Sequence, residues 1–159
     1  MTLNIVAPVH RAYLCCVKQN NMKKRTPVKE IMTANIKTVQ TTDSLKSARF
    51  MMDNESIRHL PVMRGDVLVG ILSDSDFNRL NFGKLFNQED QSENTLLETL
   101  SIEQLMTFKP VTIEPTATIK EVTDIFMNEH FRALPVTENG KPVGIVTVTD
   151  VLEFLSENM

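Results

Sequence analysis

The sequence predicts an α/β (α+β) chain made of two copies of one β-α-β-β-α unit. Two observations predict it. First, residues recur at an offset of 74: Arg58-His59-Leu60-Pro61-Val62 returns as Arg132-Ala133-Leu134-Pro135-Val136, Val69-Gly70-Ile71 as Val143-Gly144-Ile145, and Asp76 as Asp150. The register runs without a gap from residues 28–80 onto residues 102–154, the mark of one supersecondary unit used twice. Second, each copy carries an apolar stripe of helical period followed by two short β-rich runs around a turn.

The organisation follows: an N-terminal extension over 1–26, a first unit over 27–80, a linker over 81–100 and a second unit over 101–159. Each unit opens on an amphipathic turn (Val28, Ile31, Met32; Ile102, Leu105, Met106) and passes into a short strand, Lys37-Thr38-Val39 or Val111-Thr112-Ile113. The helix comes next. Thr118 with Glu121 reads as a capping box ahead of a stripe of Ile119, Val122, Ile125 and Phe126. Ser44 is the matching cap of the first copy, with Leu45, Ala48 and Met52 on its stripe; Met51, Met52 and Phe126 are assigned to the core. Leu60-Pro61-Val62-Met63 then pairs with residues 67–72 across Arg64-Gly65-Asp66, which reads as a hairpin tip and not an adhesion motif. In the second copy Asn139-Gly140 makes the same turn, since both residues accept the positive φ that it requires. A closing helix starts near Asp74 and near Val148. Residues 88–94 of the linker are polar and read as an exposed loop or helix end.

Composition narrows the function. With 42% hydrophobic and 23% charged residues the chain matches soluble globular proteins. A net charge of −3 gives no basic field for nucleic acid or an anionic membrane, and Lys23-Lys24-Arg25 is too short a run to make one. No apolar run approaches the ~18 residues of a membrane span, and the first residues lack the pattern of a signal peptide, so a cytoplasmic protein is expected. Cys15 and Cys16 are adjacent and are the only cysteines, which supports neither a metal site nor a disulfide framework. No Ser-His-Asp, Cys-His, paired-carboxylate or P-loop pattern occurs, so no catalytic residue is assigned and an enzyme is not expected.

The motif that carries chemistry is Gly-hydrophobic-x-Ser/Thr-x-x-Asp at each strand-to-helix junction: Ser73 and Asp76, then Thr147 and Asp150. A helix N-terminus offers free N–H groups to a phosphate, and an ionised carboxylate accepts from both hydroxyls of a ribose. The same spacing is also a capping box, and a repeated helix repeats its cap. Spacing alone leaves both open. Arg58, His59 and Arg132 stand just ahead of the Leu-Pro-Val strand, where an Arg fork suits phosphate and equally suits a solvated strand end. His59 has Ala133 as its twin, so two equivalent sites would differ chemically.

Taken together, the Leu-Pro-Val strand (60–62, 134–136), Val-Gly-Ile (69–71, 143–145), Ser/Thr-x-x-Asp (73–76, 147–150), Ile-Met-Thr (31–33) and Leu-Met-Thr (105–107) resemble the cystathionine-β-synthase (CBS) domain family over about residues 27–156. The resemblance implies a stand-alone pair of CBS units, a Bateman module, packed through their sheets with pseudo-twofold symmetry. It implies two clefts for AMP, ADP or ATP, and less readily S-adenosylmethionine. Ser73 and Asp76 would contact the ligand in one cleft and Thr147 and Asp150 in the other. Arg58, His59 and Arg132 would reach phosphate, and the strands with Thr38 and Thr112 would line the adenine pockets. It further implies a homodimer; from the sequence itself, with no output domain fused, an effector protein regulated in trans is expected, and no metal is expected. The alternative is an interaction module with empty clefts, its Ser/Thr-x-x-Asp motifs acting only as caps.

Overall fold

A computed structural model of the chain describes residues 25–86 and 93–158. Cys15, Cys16, the extension up to residue 24 and linker residues 87–92 lie outside the described residues. After a 3-10 turn at Val28–Glu30 the first copy holds β1 (Thr33–Ala34), β2 (Val39–Gln40), α1 (Leu45–Asn54), β3 (His59–Arg64), β4 (Val67–Ser73) and α2 (Asp74–Phe86). Helix α3 (Glu93–Thr99) precedes the second copy. That copy holds α4 (Ile102–Leu105), β5 (Thr107–Phe108), α5 (Ile119–Asn128), β6 (Ala133–Glu138), β7 (Lys141–Thr147) and α6 (Val148–Glu157).

The mixed α+β architecture, the two hairpins and both closing helices are as expected. Gly65 (φ 60°), Asn139 (φ 52°) and Gly140 (φ 78°) take the left-handed turn positions at the hairpin tips. Gln40 ties the first tip down: its Oε1 accepts from Gly65 N–H at 3.1 Å and its Nε2 donates to Gly65 O.

The early strand starts later than the sequence suggests. In the first copy pairing begins at Val39, which is parallel to Val62 of β3. In the second only an Ile113–Val136 bridge forms, where Ile113 N–H donates to Pro135 O and Thr137 N–H to Ile113 O. The next ladder bond back would run from the nitrogen of Pro135 to Val111 O. Proline has no N–H, so the ladder stops there, and Pro61 imposes the same limit at Lys37.

Two further strands were not expected from sequence. β1 pairs antiparallel with β7 (Thr33↔Ile145, Ala34↔Gly144), and β5 pairs with β4 (Gly70↔Phe108, Ile71↔Thr107). Each copy therefore lends its opening strand to the other copy's sheet, giving the orders β1-β7-β6 and β2-β3-β4-β5. The cores are exchanged likewise. Ile102 and Met106 are buried with Val39, Leu45, Leu60, Val62, Leu72 and Phe77 of the first copy. Val28 is buried with Ile119, Val122, Leu134, Val136 and Val146 of the second, with Ile31 and Met32 packed on them. Val28 N–H donates to Ala117 O at 2.7 Å and Ile119 N–H to Thr26 O at 2.9 Å, which fastens the first opening segment to α5. The unit of sequence and the unit of packing thus differ by one segment.

Capping is largely as expected. Thr118 and Glu121 form a reciprocal box, and the Thr118 N–H bond holds the Glu121 carboxyl below its usual value. Ser44 caps α1 by accepting from Ser47 N–H at 3.1 Å.

Candidate functional site

β3 begins at His59 and β4 ends at Ser73, and these two residues are cross-strand partners. One residue on, the chain turns into α2, so His59, Ser73 and Asp76 converge at one edge of the first sheet. The exchanged strand β5 lies against β4 at the same edge. The result is a cleft of about 360 Å³ between the copies. The first copy supplies His59, Ile71, Ser73, Ser75 and Asp76. The second supplies Thr107, Lys109, Pro110 and Val111 after β5, and His130, Phe131, Arg132 and Ala133 ahead of and into β6.

The cleft is chemically divided. Asp76 is its buried carboxylate, 4% exposed. Its Oδ2 accepts from Ser73 N–H at 2.7 Å and from Ser73 Oγ at 2.6 Å, and its Oδ1 from Arg79 Nη2. Burial holds the His59 imidazole below its ordinary value; Asp76 and Asp74 pull the other way and Arg58 adds to the lowering. Burial therefore favours the neutral ring. Lys109 and Arg132 bring positive charge, while Ile71, Pro110, Val111, Phe131 and Ala133 form an apolar wall. Such a lining can hold a flat apolar group, hydroxyls and an anion at once.

Of the residues singled out from sequence, His59, Ser73, Asp76 and Arg132 meet in this cleft. Thr112 does not line it; the run of lining residues that follows β5 ends at Val111. Thr38 lines a second, more open hollow with Asn35, Ile36, Met63 and Asp66, opposite Lys141, Pro142 and Val143. Asp66 and Lys141 form an exposed ion pair across it at 3.0 Å. Thr147, Asp150 and Arg58 line neither cavity. Thr147 and Asp150 form a reciprocal box at the start of α6, with Thr147 N–H and Oγ on Asp150 Oδ2 at 2.6 and 2.8 Å. By the 74-residue register they follow a strand paired with β1 at Gly144 and Ile145, as Ser73 and Asp76 follow one paired with β5 at Gly70 and Ile71.

Lys109, His130 and Phe131 were not found from sequence. Lys109 is the twin of Asn35, and both hold left-handed backbone, at φ 47° and 55°, directly after an exchanged strand, a feature that the sequence does not display. Among the described residues no group of three or more His, Cys, Asp or Glu is placed to hold a metal ion, and no helix is long and apolar enough to cross a membrane.

Two interlocked copies of one α+β unit meet at a cleft with both polar and apolar walls. The chain belongs to the CBS domain family, whose sequence model matches residues 28–82 and 102–157. It is 31% identical over 128 residues to the protein YlbB of Bacillus subtilis, covering 79% of this chain and 80% of YlbB. Among solved structures, CBSX2 in complex with AMP aligns with a TM-score of 0.68 at 23% identity, over 84% of this chain and 98% of that one. The CBS domain pair of protein MJ0100, in complex with 5′-methylthioadenosine and S-adenosyl-L-methionine, aligns with a TM-score of 0.69 at 24% identity, over 84% and 98%. Other relatives are longer: the chain spans 26% of an inosine-5′-monophosphate dehydrogenase from Korarchaeum cryptofilum.

Proposed function

We propose that this protein is a regulatory module that binds an adenine nucleotide (AMP, ADP or ATP) between its two copies and signals to a partner in trans. The observation that carries this is the cleft in which Asp76 and Ser73 stand at a helix start, facing Lys109 and Arg132. The carboxylate suits ribose hydroxyls, the cations suit phosphate, and the apolar wall suits a purine. Two cations beside a neutral imidazole favour phosphate over the positive sulfonium of S-adenosylmethionine. Thr147, Asp150 and Arg58 are assigned to the pseudo-symmetric counterpart, with Ala133 in place of His59. No chemical step is assigned. Ligand occupancy would act by shifting the population of conformations that a partner reads.

A second copy of the chain is the proposed first partner. Met127 on α5 and Leu152 and Leu155 on α6 are large apolar residues left exposed on helices that pack together. Sedimentation giving the mass of one chain at micromolar concentration would remove the dimer.

One observation favours the alternative of a module with empty clefts: both Asp residues are already engaged as caps. Thermal unfolding with AMP, ATP and S-adenosylmethionine separates the two. A ligand at 100 times its dissociation constant stabilises by about 2.7 kcal/mol, which for a chain of this size raises Tm by roughly 5–11 °C. The shift should be lost in Asp76→Ala/Asp150→Ala. No shift with any adenosine ligand sinks the nucleotide reading.

A further inference from the structure

The two Ser/Thr-x-x-Asp turns agree in sequence and differ in how their carboxylates are used. In both, Oδ2 is taken by the cap. The other oxygens part ways. Asp76 Oδ1 accepts from Arg79, one turn further along α2. The 74-residue twin of Arg79 is Glu153, and among the described residues no hydrogen bond or ion pair reaches Asp150 Oδ1. Burial follows the same split: Asp76 is 4% exposed, whereas Asp150 is half-buried.

Resting on the nucleotide reading above, we propose that Arg79 is a specificity-determining residue: by occupying Asp76 Oδ1 it makes the Asp76 cleft hold a nucleotide chiefly by its phosphate, while the Asp150 cleft holds one by its ribose. A carboxylate chelates a vicinal diol by giving one oxygen to each hydroxyl. Asp150 has one oxygen open and the other shared only with the local cap. Asp76 Oδ1 already carries Arg79, which leaves one acceptor position for which a diol must compete with the guanidinium's charge-assisted bond. The Asp76 cleft offsets this with Lys109 and Arg132, whose charges face the space where a phosphate would lie. Glu153 gives the other junction an added negative charge, which favours hydroxyls over phosphate there.

The test is calorimetric titration of the full chain with AMP, 2′-deoxy-AMP and adenosine, in wild type, Arg79→Gln and Asp150→Asn. Arg79 is 70% exposed, so its replacement leaves α2 packed as before. In wild type, removing the 2′-hydroxyl should weaken the site that Asp150→Asn abolishes by about tenfold or more, and the other site by about twofold at most. Adenosine should occupy only the first of these. In Arg79→Gln the second site should bind AMP about tenfold tighter and acquire the same penalty for 2′-deoxy-AMP. An equal 2′-deoxy penalty at both wild-type sites, or an Arg79→Gln chain that binds AMP as wild type does, overturns the role of Arg79 and leaves the nucleotide reading standing. No binding of AMP or adenosine by any variant overturns both.

Discussion

Replacing Gly144 with alanine tests the strand exchange directly. Gly144 lies in β7 opposite Ala34 of β1. A Cβ there would stand 2.5 Å from Met32 Sδ, 3.1 Å from Met32 Cγ and 3.0 Å from Thr33 O. Comfortable contact begins near ~3.5 Å. The thioether can rotate away. The carbonyl cannot, because it belongs to a strand of two residues held by its pairing, so relief means lifting β1 from the sheet. Overpacking of this kind costs about 1–3 kcal/mol, and a backbone obstacle puts Gly144→Ala in the upper half, about 2–3 kcal/mol. Gly70→Ala is the control: its three nearest atoms all belong to the flexible Met106 side chain, so about 1 kcal/mol is expected. Urea unfolding followed by circular dichroism measures both. In a Met106→Ala background the Gly70→Ala penalty should fall to near zero, while in a Met32→Ala background Gly144→Ala should keep about half of its own. A Gly144→Ala chain within about 0.5 kcal/mol of wild type, or a larger loss at Gly70, refutes the reasoning.

Two further outcomes concern single side chains. Because burial lowers the His59 pKa from 6.5, the folded protein takes up that proton less readily than the unfolded chain. The stability tied to this group is whole above pH 6.5 and falls as the pH drops from 6.5 towards the folded value; His59→Ala, which copies Ala133, should flatten that slope in denaturant titrations across the range, and an unchanged slope counts against the assignment. Thr118→Val removes the acceptor of Glu121 N–H at 3.2 Å and should cost about 1 kcal/mol in urea unfolding with no change in AMP affinity, since Thr118 is outside the cleft.

The fold was legible wherever a residue type is forced by local geometry. Asn139-Gly140 announces its turn, Thr118 with Glu121 its helix start, and the 74-residue register shows that both belong to one plan. The exchange of β1 and β5 was not legible. A strand of two residues has no alternation to display, and its partner lies far away in the chain, about 110 residues for β1 and about 37 for β5. The starts of the early strands turned on a missing N–H in another strand, at Pro61 and Pro135, so a reading confined to residues 37–39 and 111–113 placed them too early. The candidate site divides the same way. Ser73, Asp76, His59 and Arg132 lie in or beside recurring motifs and can be found from them. Lys109 reaches the cleft only because β5 crosses to the other sheet, and Val111 faces it where Thr112 had been expected.

The exchanged strands also bear on how the chain is made. As synthesis proceeds, the first sheet can close once Phe108 has emerged, since β5 is its last strand. β1, made much earlier, has its partner only when β7 appears about 110 residues later. Throughout that interval Val28, Ile31 and Met32 have no core to enter. Late, long-range closure of this sort slows folding and leaves apolar surface and a strand edge open to wrong partners. A stop or stall between Phe108 and Lys141 would therefore release one finished half carrying an unsatisfied opening segment, the part of this protein most exposed to aggregation and to chaperones.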